Sequence, residues 1–130
     1  SELEASSYID CGGMYSCYQA ESLESDTSYI SCEGEYGCAY SGEIDAYSTV
    51  NCDGDYGCYQ SGEISSDTSY IYCDGKYGCA YADKIDGYLA VSCDGDHGCY
   101  YTPEIESDSS SVTCNGDYGC GYADNIKASS

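Results

Sequence analysis

The sequence predicts an all-β protein: a parallel β-solenoid of about six rungs, each of 20 or 21 residues and stapled by disulfides. The first sign is a cysteine-bounded heptapeptide that recurs as CGGMYSC (11–17), CEGEYGC (32–38), CDGDYGC (52–58), CDGKYGC (73–79), CDGDHGC (93–99) and CNGDYGC (114–120). The second is its period. First cysteines are separated by 21, 20, 21, 20 and 21 residues, and a fixed spacing in this range is the signature of stacked supersecondary units. The third is composition, with 18 tyrosines but no phenylalanine or tryptophan, alongside isoleucine, valine, serine and threonine. The β-branched and aromatic members of that set favour strands.

The register extends beyond cysteine. Two residues before each first cysteine stand Ile9, Ile30, Val50, Ile71, Val91 and Val112, and six residues after each second cysteine stand Leu23, Ile44, Ile64, Ile85, Ile105 and Ile126. Three residues after it the side chain is always small or hydroxylated: Ala20, Ser41, Ser61, Ala82, Thr102, Ala123. Helical repeats fit this pattern poorly, because the apolar positions are short, β-branched and interrupted by glycine. A coil of this length holds two or three short strands, and six rungs at ~4.8 Å spacing give a rod segment about 29 Å tall. Residues 1–130 therefore read as one solenoid domain.

The alternation between 21 and 20 carries a second layer. After the second cysteine the sequence reads Tyr18, Ala39, Tyr59, Ala80, Tyr100, Gly121, and the next position reads Gln19, Tyr40, Gln60, Tyr81, Tyr101, Tyr122. A large ring on one rung thus tends to meet a small neighbour on the next. The true unit is a pair of rungs.

Within the heptapeptide, period two puts Val50, Cys52 and Gly54 on one side of an incoming strand and Asn51, Asp53 and Asp55 on the other. The apolar set takes the inside, so the acids face out. Two disulfide frameworks follow. If the chain turns at Gly54 and Gly57, the partners lie within each motif: Cys11 with Cys17, Cys32 with Cys38, Cys52 with Cys58, Cys73 with Cys79, Cys93 with Cys99, Cys114 with Cys120. If the motif stays extended, its cysteines lie ~20 Å apart, beyond the roughly 4.4 to 6.8 Å that a bridge tolerates, and equivalent cysteines on adjacent rungs would pair instead. Repeated glycine favours the corner, where each small loop would contribute about 2 kcal/mol.

The spacing does not read as zinc, since there is no CxxC or CxC and a single histidine, His97. The acidic pairs Glu33/Glu35, Asp53/Asp55 and Asp94/Asp96 flank a glycine, and stacking would bring carboxylates within about 5 Å of one another. Like charges so placed repel unless cations or protons relieve them, which makes these six residues calcium candidates. Gly12, Lys76 and Asn115 interrupt the columns, and a solvated acidic edge is the other reading. No other cofactor is expected. Tyr15, Tyr36, Tyr56, Tyr77, His97 and Tyr118 form one aromatic column. Parity with the buried cysteines points it inward, whereas outward presentation would make a flat tyrosine ladder.

Charge narrows function. Twenty-four acids against three lysines and no arginine give a net charge of -21, which excludes nucleic-acid binding, because that begins with cations neutralising phosphate. Cations and basic partners are the natural counterparts. The cysteine density points to an oxidising, extracellular setting. Without a Met-initiated charged leader or long apolar run, the chain reads as a mature or excised segment with no membrane span. No enzyme is expected: there is no nucleophile elbow or metal triad, and the carboxylate pairs recur along the repeats instead of forming one site.

The Cys-x-Gly-x-Tyr core, at Cys52, Gly54 and Tyr56 and their equivalents, resembles the repeat of the small tyrosine-bearing antifreeze solenoids of midges. This chain inserts Gly57 before Cys58 and doubles the coil. That resemblance implies bridged coils that display stacked tyrosines to ice. Over nearly the whole chain, the pattern I/V-x-C-x-G-x-x-S/G-C-x-x-A/S-x-x-I is similar to cysteine-rich β-helix repeats in large surface and extracellular proteins of algae and other protists. This second resemblance implies a rod-like surface or matrix protein without a defined activity.

The expected function is that of an extracellular structural protein, a subunit of a fibre, filament or surface appendage. Neither terminal repeat departs into a polar cap, and open solenoid ends stack head to tail into filaments. Self is then the main partner, with glycans or cations as further ones. Ice binding through a flat Tyr/Ser/Thr face is the alternative. The Ser/Thr-rich spacers at 65–69 and 107–113 read as O-glycosylation sites.

Overall fold

A computed structural model describes residues 2–5, 8–108 and 111–128. Odd-numbered strands form one parallel sheet: β1 (Glu2–Ala5), β3 (Ser22–Ser25), β5 (Glu43–Ala46), β7 (Glu63–Ser66), β9 (Lys84–Gly87), β11 (Glu104–Ser107) and β13 (Asn125–Ala128). Even-numbered strands form the other: β2 (Ile9–Asp10), β4 (Ile30–Ser31), β6 (Val50–Asn51), β8 (Tyr70–Tyr72), β10 (Ala90–Ser92) and β12 (Ser111–Thr113). The chain is a β-solenoid of about six turns with two strands per rung. Among the described residues no helix is long and apolar enough to cross a membrane.

The columns seen in the sequence are the register of the sheets. Leu23 pairs with Ile44, Ile44 with Ile64, Ile64 with Ile85 and Ile85 with Ile105. On the other sheet Ile30, Val50, Ile71 and Val91 pair in the same way. All nine are fully buried, and each such side chain stabilises the fold by roughly 1.5 to 3 kcal/mol relative to exposure. One residue to either side in the odd sheet faces outward, so that sheet presents Glu24, Glu43, Asp45, Glu63, Asp86, Glu104 and Glu106 to solvent in alternation with the core.

The extra residue of alternate rungs lies in the turn from the odd to the even sheet. Five positions separate Ser25 from Ile30, whereas four separate Ala46 from Val50 and Gly87 from Val91. At Gly87 a Cβ would stand 2.6 Å from the Ala90 carbonyl oxygen, so that turn leaves no room for a side chain there, whereas Ala46 holds the same place in the equally short turn two rungs earlier. Buried hydroxyls in the turns bond backbone: Ser107 Oγ donates to the Leu89 carbonyl at 2.9 Å, and Ser66 Oγ donates to that of Ser48.

The even-to-odd corner is the heptapeptide, and its turning chemistry differs from the expectation placed on its glycines. No described glycine has a positive φ. The left-handed residues are instead the motif aromatics Tyr15, Tyr36, Tyr56, Tyr77, His97 and Tyr118, at φ 54 to 59°, and Gln19, Tyr40, Gln60, Tyr81, Tyr101 and Tyr122, at φ 52 to 62°. Left-handed backbone costs a residue with a Cβ about 1 to 2 kcal/mol. Each corner offsets part of that cost, because the turned N–H reaches the next rung: Tyr36 N donates to Asp55 O at 3.0 Å, Tyr56 N to Lys76 O at 2.8 Å and Gln60 N to Ala80 O at 2.8 Å.

The glycines serve stacking. A Cβ at Gly54 would lie 2.3 Å from Glu33 O, and one at Gly57 would lie 2.5 Å from Cys32 O. Adjacent corners approach so closely that only a hydrogen fits between them.

Candidate functional site

The six cysteine pairs bridge within their motifs, with Cα–Cα distances of 5.5 to 5.7 Å. No described cysteine is free. Sulfurs of Cys11, Cys17 and Cys38 come within 4.8 Å of one another, a proximity that follows from bridges stacked on successive rungs. Beside each bridge, the small column closes the corner from inside: Ser41 Oγ donates to Cys17 O at 3.3 Å, and Thr102 Oγ1 to Cys79 O at 3.1 Å.

Outside the bridges runs the aromatic column. Its rings stack from Tyr15 to Tyr36 (5.2 Å), Tyr56 (4.8 Å), Tyr77 (5.2 Å), His97 (4.6 Å) and Tyr118 (5.1 Å), with interplanar angles of 3 to 22°. The column is not inward. Tyr15 is 49% and Tyr118 64% exposed, and the members between are half-buried. Parity failed here because left-handed backbone at the tyrosine breaks the strict alternation of an extended strand.

A second rail leans on the first. Tyr18, Tyr40, Tyr59, Tyr81 and Tyr100 contact one another edge to face at 5.5 to 6.0 Å. Tyr18, Tyr59 and Tyr100 also meet the ladder ring of their own rung edge-on: Tyr15 at 5.0 Å, Tyr56 at 5.0 Å and His97 at 4.7 Å. On the alternate rungs the ring moves one residue along, to Tyr40 or Tyr81, above the fully buried Ala39 or Ala80. That shift is the physical content of the two-rung repeat. Tyr101 and Tyr122 extend the rail by face-to-face stacking at 4.6 Å. Burial first, then neighbouring phenols, pushes the hydroxyls of Tyr36, Tyr59 and Tyr100 above the usual range.

The acids of the heptapeptide are exposed, as alternation requires. Those after the first cysteine bind the backbone of the next rung. Asp53 Oδ1 accepts from Asp74 N at 3.3 Å, Asp74 Oδ1 from Asp94 N at 3.2 Å and Asp94 Oδ1 from Asn115 N at 3.0 Å. Asp55 Oδ1 accepts from Lys76 N at 3.4 Å, and Glu33 Oε2 from Asn51 Nδ2 at 2.7 Å. Glu35 and Asp96 lend backbone carbonyls to Tyr15 N and Tyr77 N. Of the six calcium candidates, Glu33, Asp53, Asp55 and Asp94 accept rung-to-rung hydrogen bonds through their carboxylates.

The odd sheet gathers acids outside the heptapeptides as well. Carboxylate oxygens of Glu24, Glu43 and Asp45 lie within 4.8 Å of one another. The register that pairs Glu24 with Asp45 explains it, and its sequence signal is the acids that flank Ile44 on both sides, next to Glu24 beside Leu23. Burial, followed by nearby acids, holds the Asp45 and Asp86 carboxyls above their ordinary range; the Ser65 hydroxyl, bonded to Asp45 at 3.1 Å, opposes this. Lys84 pairs with Glu106 at 3.0 Å on the same face.

Hydroxyls in the spacer 65–69 are largely engaged. Ser65 bonds Asp45, Ser66 bonds the Ser48 carbonyl, Thr68 bonds the Tyr47 carbonyl and Ser69 accepts from Thr49. In the spacer 107–113, Ser107 is buried, and residues 109 and 110 lie outside the described residues.

Fold and site together define a disulfide-stapled, two-sheet parallel β-solenoid with an external double rail of tyrosines. Compared with known proteins, the chain matches no family model, no curated protein and no solved structure.

Proposed function

We propose that the chain is a non-catalytic extracellular structural protein, a rod element of a filament or surface appendage that lengthens by stacking solenoid rungs. The observation that carries this reading is the unbroken in-register stacking of both sheets, in which each interior rung is covered by its neighbours. Ile85 and Ile105 are fully buried, whereas Ile126 in the same column is 47% exposed; Val112, Cys120 and Ala123 are only partly buried. One more rung, from a continuation of the chain or from a second copy, would cover them and extend both sheets. Twelve bridged cysteines support an oxidising compartment outside the cell. The net charge of -21 opposes lateral clumping, which favours growth along the axis. Negative-stain microscopy and light scattering across a concentration series test the reading. Filaments that lengthen with concentration are the expected result, and dispersed short rods at every concentration would overturn it.

One observation favours ice binding as a second reading. The aromatic column is outward, regular and close to parallel, as a tyrosine face presented to ice would be. Thermal hysteresis with faceted crystals, lost on replacing Tyr56 and Tyr77 by alanine, would establish that use. Round crystals without hysteresis would remove it.

A further inference from the structure

The even sheet carries a notch of about 330 Å³ on its outer face, at the low end of the range for ligand pockets. Asp10, Tyr29, Ser31, Glu33, Thr49 and Asn51 line it. The cause is a local change of side-chain size. Ser31 and Asn51 occupy the outward column that the larger Tyr72 fills one rung further on, and Thr49 stands between Tyr29 and Tyr70 in the neighbouring column. Tyr29 stacks on Tyr8 at 5.2 Å and 10°, and the next member of that column is the short Thr49.

From this chemistry we infer that the notch is a binding subsite for a neutral saccharide. A pyranose presents an apolar C–H face and a rim of hydroxyls. The Tyr29 ring, 40% exposed, offers a flat apolar surface for the first. Carboxylate, amide and hydroxyl groups converge on the second: the carboxylates accept from sugar hydroxyls, and the amide and hydroxyls can both donate and accept. The polar groups are also fixed in place. Asn51 Nδ2 holds Glu33 Oε2 at 2.7 Å, and Asp10 Oδ1 accepts from Gly12 N at 3.0 Å. Asn51 Oδ1, shielded from solvent, has no hydrogen-bond partner, so a small movement on binding would satisfy an acceptor that is costly to leave unmade. An organic or metal cation is the poorer fit, because most of the lining, the Tyr29 ring with Ser31, Thr49 and Asn51, is neutral. The odd sheet offers cations a denser rank of acids.

Titration of the ¹⁵N-labelled full chain with cellobiose, laminaribiose, chitobiose and galactobiose, followed by amide chemical shifts, tests the inference. At least one of these sugars is expected to give saturable shifts centred on Ser31, Thr49 and Asn51. Asn51→Tyr, which fills the notch as Tyr72 fills the next place, should weaken that binding by at least about tenfold, or ~1.4 kcal/mol. Thr49→Tyr, which continues the Tyr8–Tyr29 stack into the same space, serves if the first variant does not fold. No saturable shift at the notch up to about 50 mM of any of the four, where even a Kd of ~10 mM would register, overturns the proposal. So does retention of affinity in the filled variants, or a response at the notch to spermidine or calcium alone. The rod reading fails or stands separately, since its test is assembly.

Discussion

Tyr36 and Tyr56 lie one rung apart with their ring centroids 4.8 Å apart and their planes 3° from parallel, and both residues are left-handed, at φ 55 and 59°. A bulky side chain thus occupies a backbone region that it normally avoids, and does so at each of the six corners. Two terms oppose each other there: the backbone cost, about 1 to 2 kcal/mol, and a ring pair worth roughly 0.5 to 1.5 kcal/mol beyond its buried area.

Substitutions at Tyr56 separate these terms. Tyr56→Ala removes the rings' contact and keeps the left-handed cost, whereas Tyr56→Gly removes both. Urea denaturation should therefore place the glycine variant above the alanine variant by about 1 kcal/mol, with both below the parent. Equal stabilities would show that the corner is not strained.

The motif glycines should be intolerant for a reason unrelated to φ. Gly57→Ala would place a methyl group 2.5 Å from Cys32 O, and overpacking of this kind against backbone costs at least about 1 to 3 kcal/mol. Gly13→Ala should be nearly neutral, because its nearest contact would be Ser16 Cβ at 3.7 Å. Thermal melting of the two variants checks the contrast.

Replacing Cys52 and Cys58 together by serine should lower stability by about 2 kcal/mol through a loop of this size. Peptide mapping without reduction should recover each heptapeptide as a closed loop. A bridge between heptapeptides would contradict the arrangement of all six corners.

Acid should strengthen this protein over a range where most proteins weaken. Partial burial raises the Asp45 and Asp86 carboxyls in the folded state, and partial desolvation, opposed by the bond from Asp74 N, raises that of the more exposed Asp53; neighbouring acids add to the shift at each. A carboxyl so raised holds its proton more tightly folded than unfolded. Folding therefore gains as pH falls through the folded value, and the gain is complete below the unfolded value of about 3.9. Melting temperature should rise between pH 7 and about pH 4, and Asp45→Asn with Asp86→Asn should flatten the slope. A melting temperature that falls steadily over that interval would contradict the assignment.

Much of this was legible in the sequence. The cysteine period and the columns Leu23 to Ile105 and Ile30 to Val91 specify stacked parallel strands directly, because in-register stacking places like on like. The roles inside the corner were less visible. Gly54 and Gly57 read as turn formers, yet their cause is a carbonyl on the preceding rung, which no local pattern displays. Tyr56 read as inward because period two assumes extended backbone, and a left-handed tyrosine breaks that assumption. The grouping of Glu24, Glu43 and Asp45 and the notch beside Asn51 depend on which side chains meet across rungs, and that became readable only with the register.

The rod reading rests on one proposition, that a rung at the end of the solenoid accepts another rung as an interior rung does. Cryo-electron microscopy of the concentrated native chain tests it most directly. The expected result is filaments in which both sheets and the tyrosine rails continue across the junction between copies at an unbroken rung spacing of ~4.8 Å. Single rods with free ends at all concentrations, or filaments joined side to side with the end rungs uncovered, would contradict it.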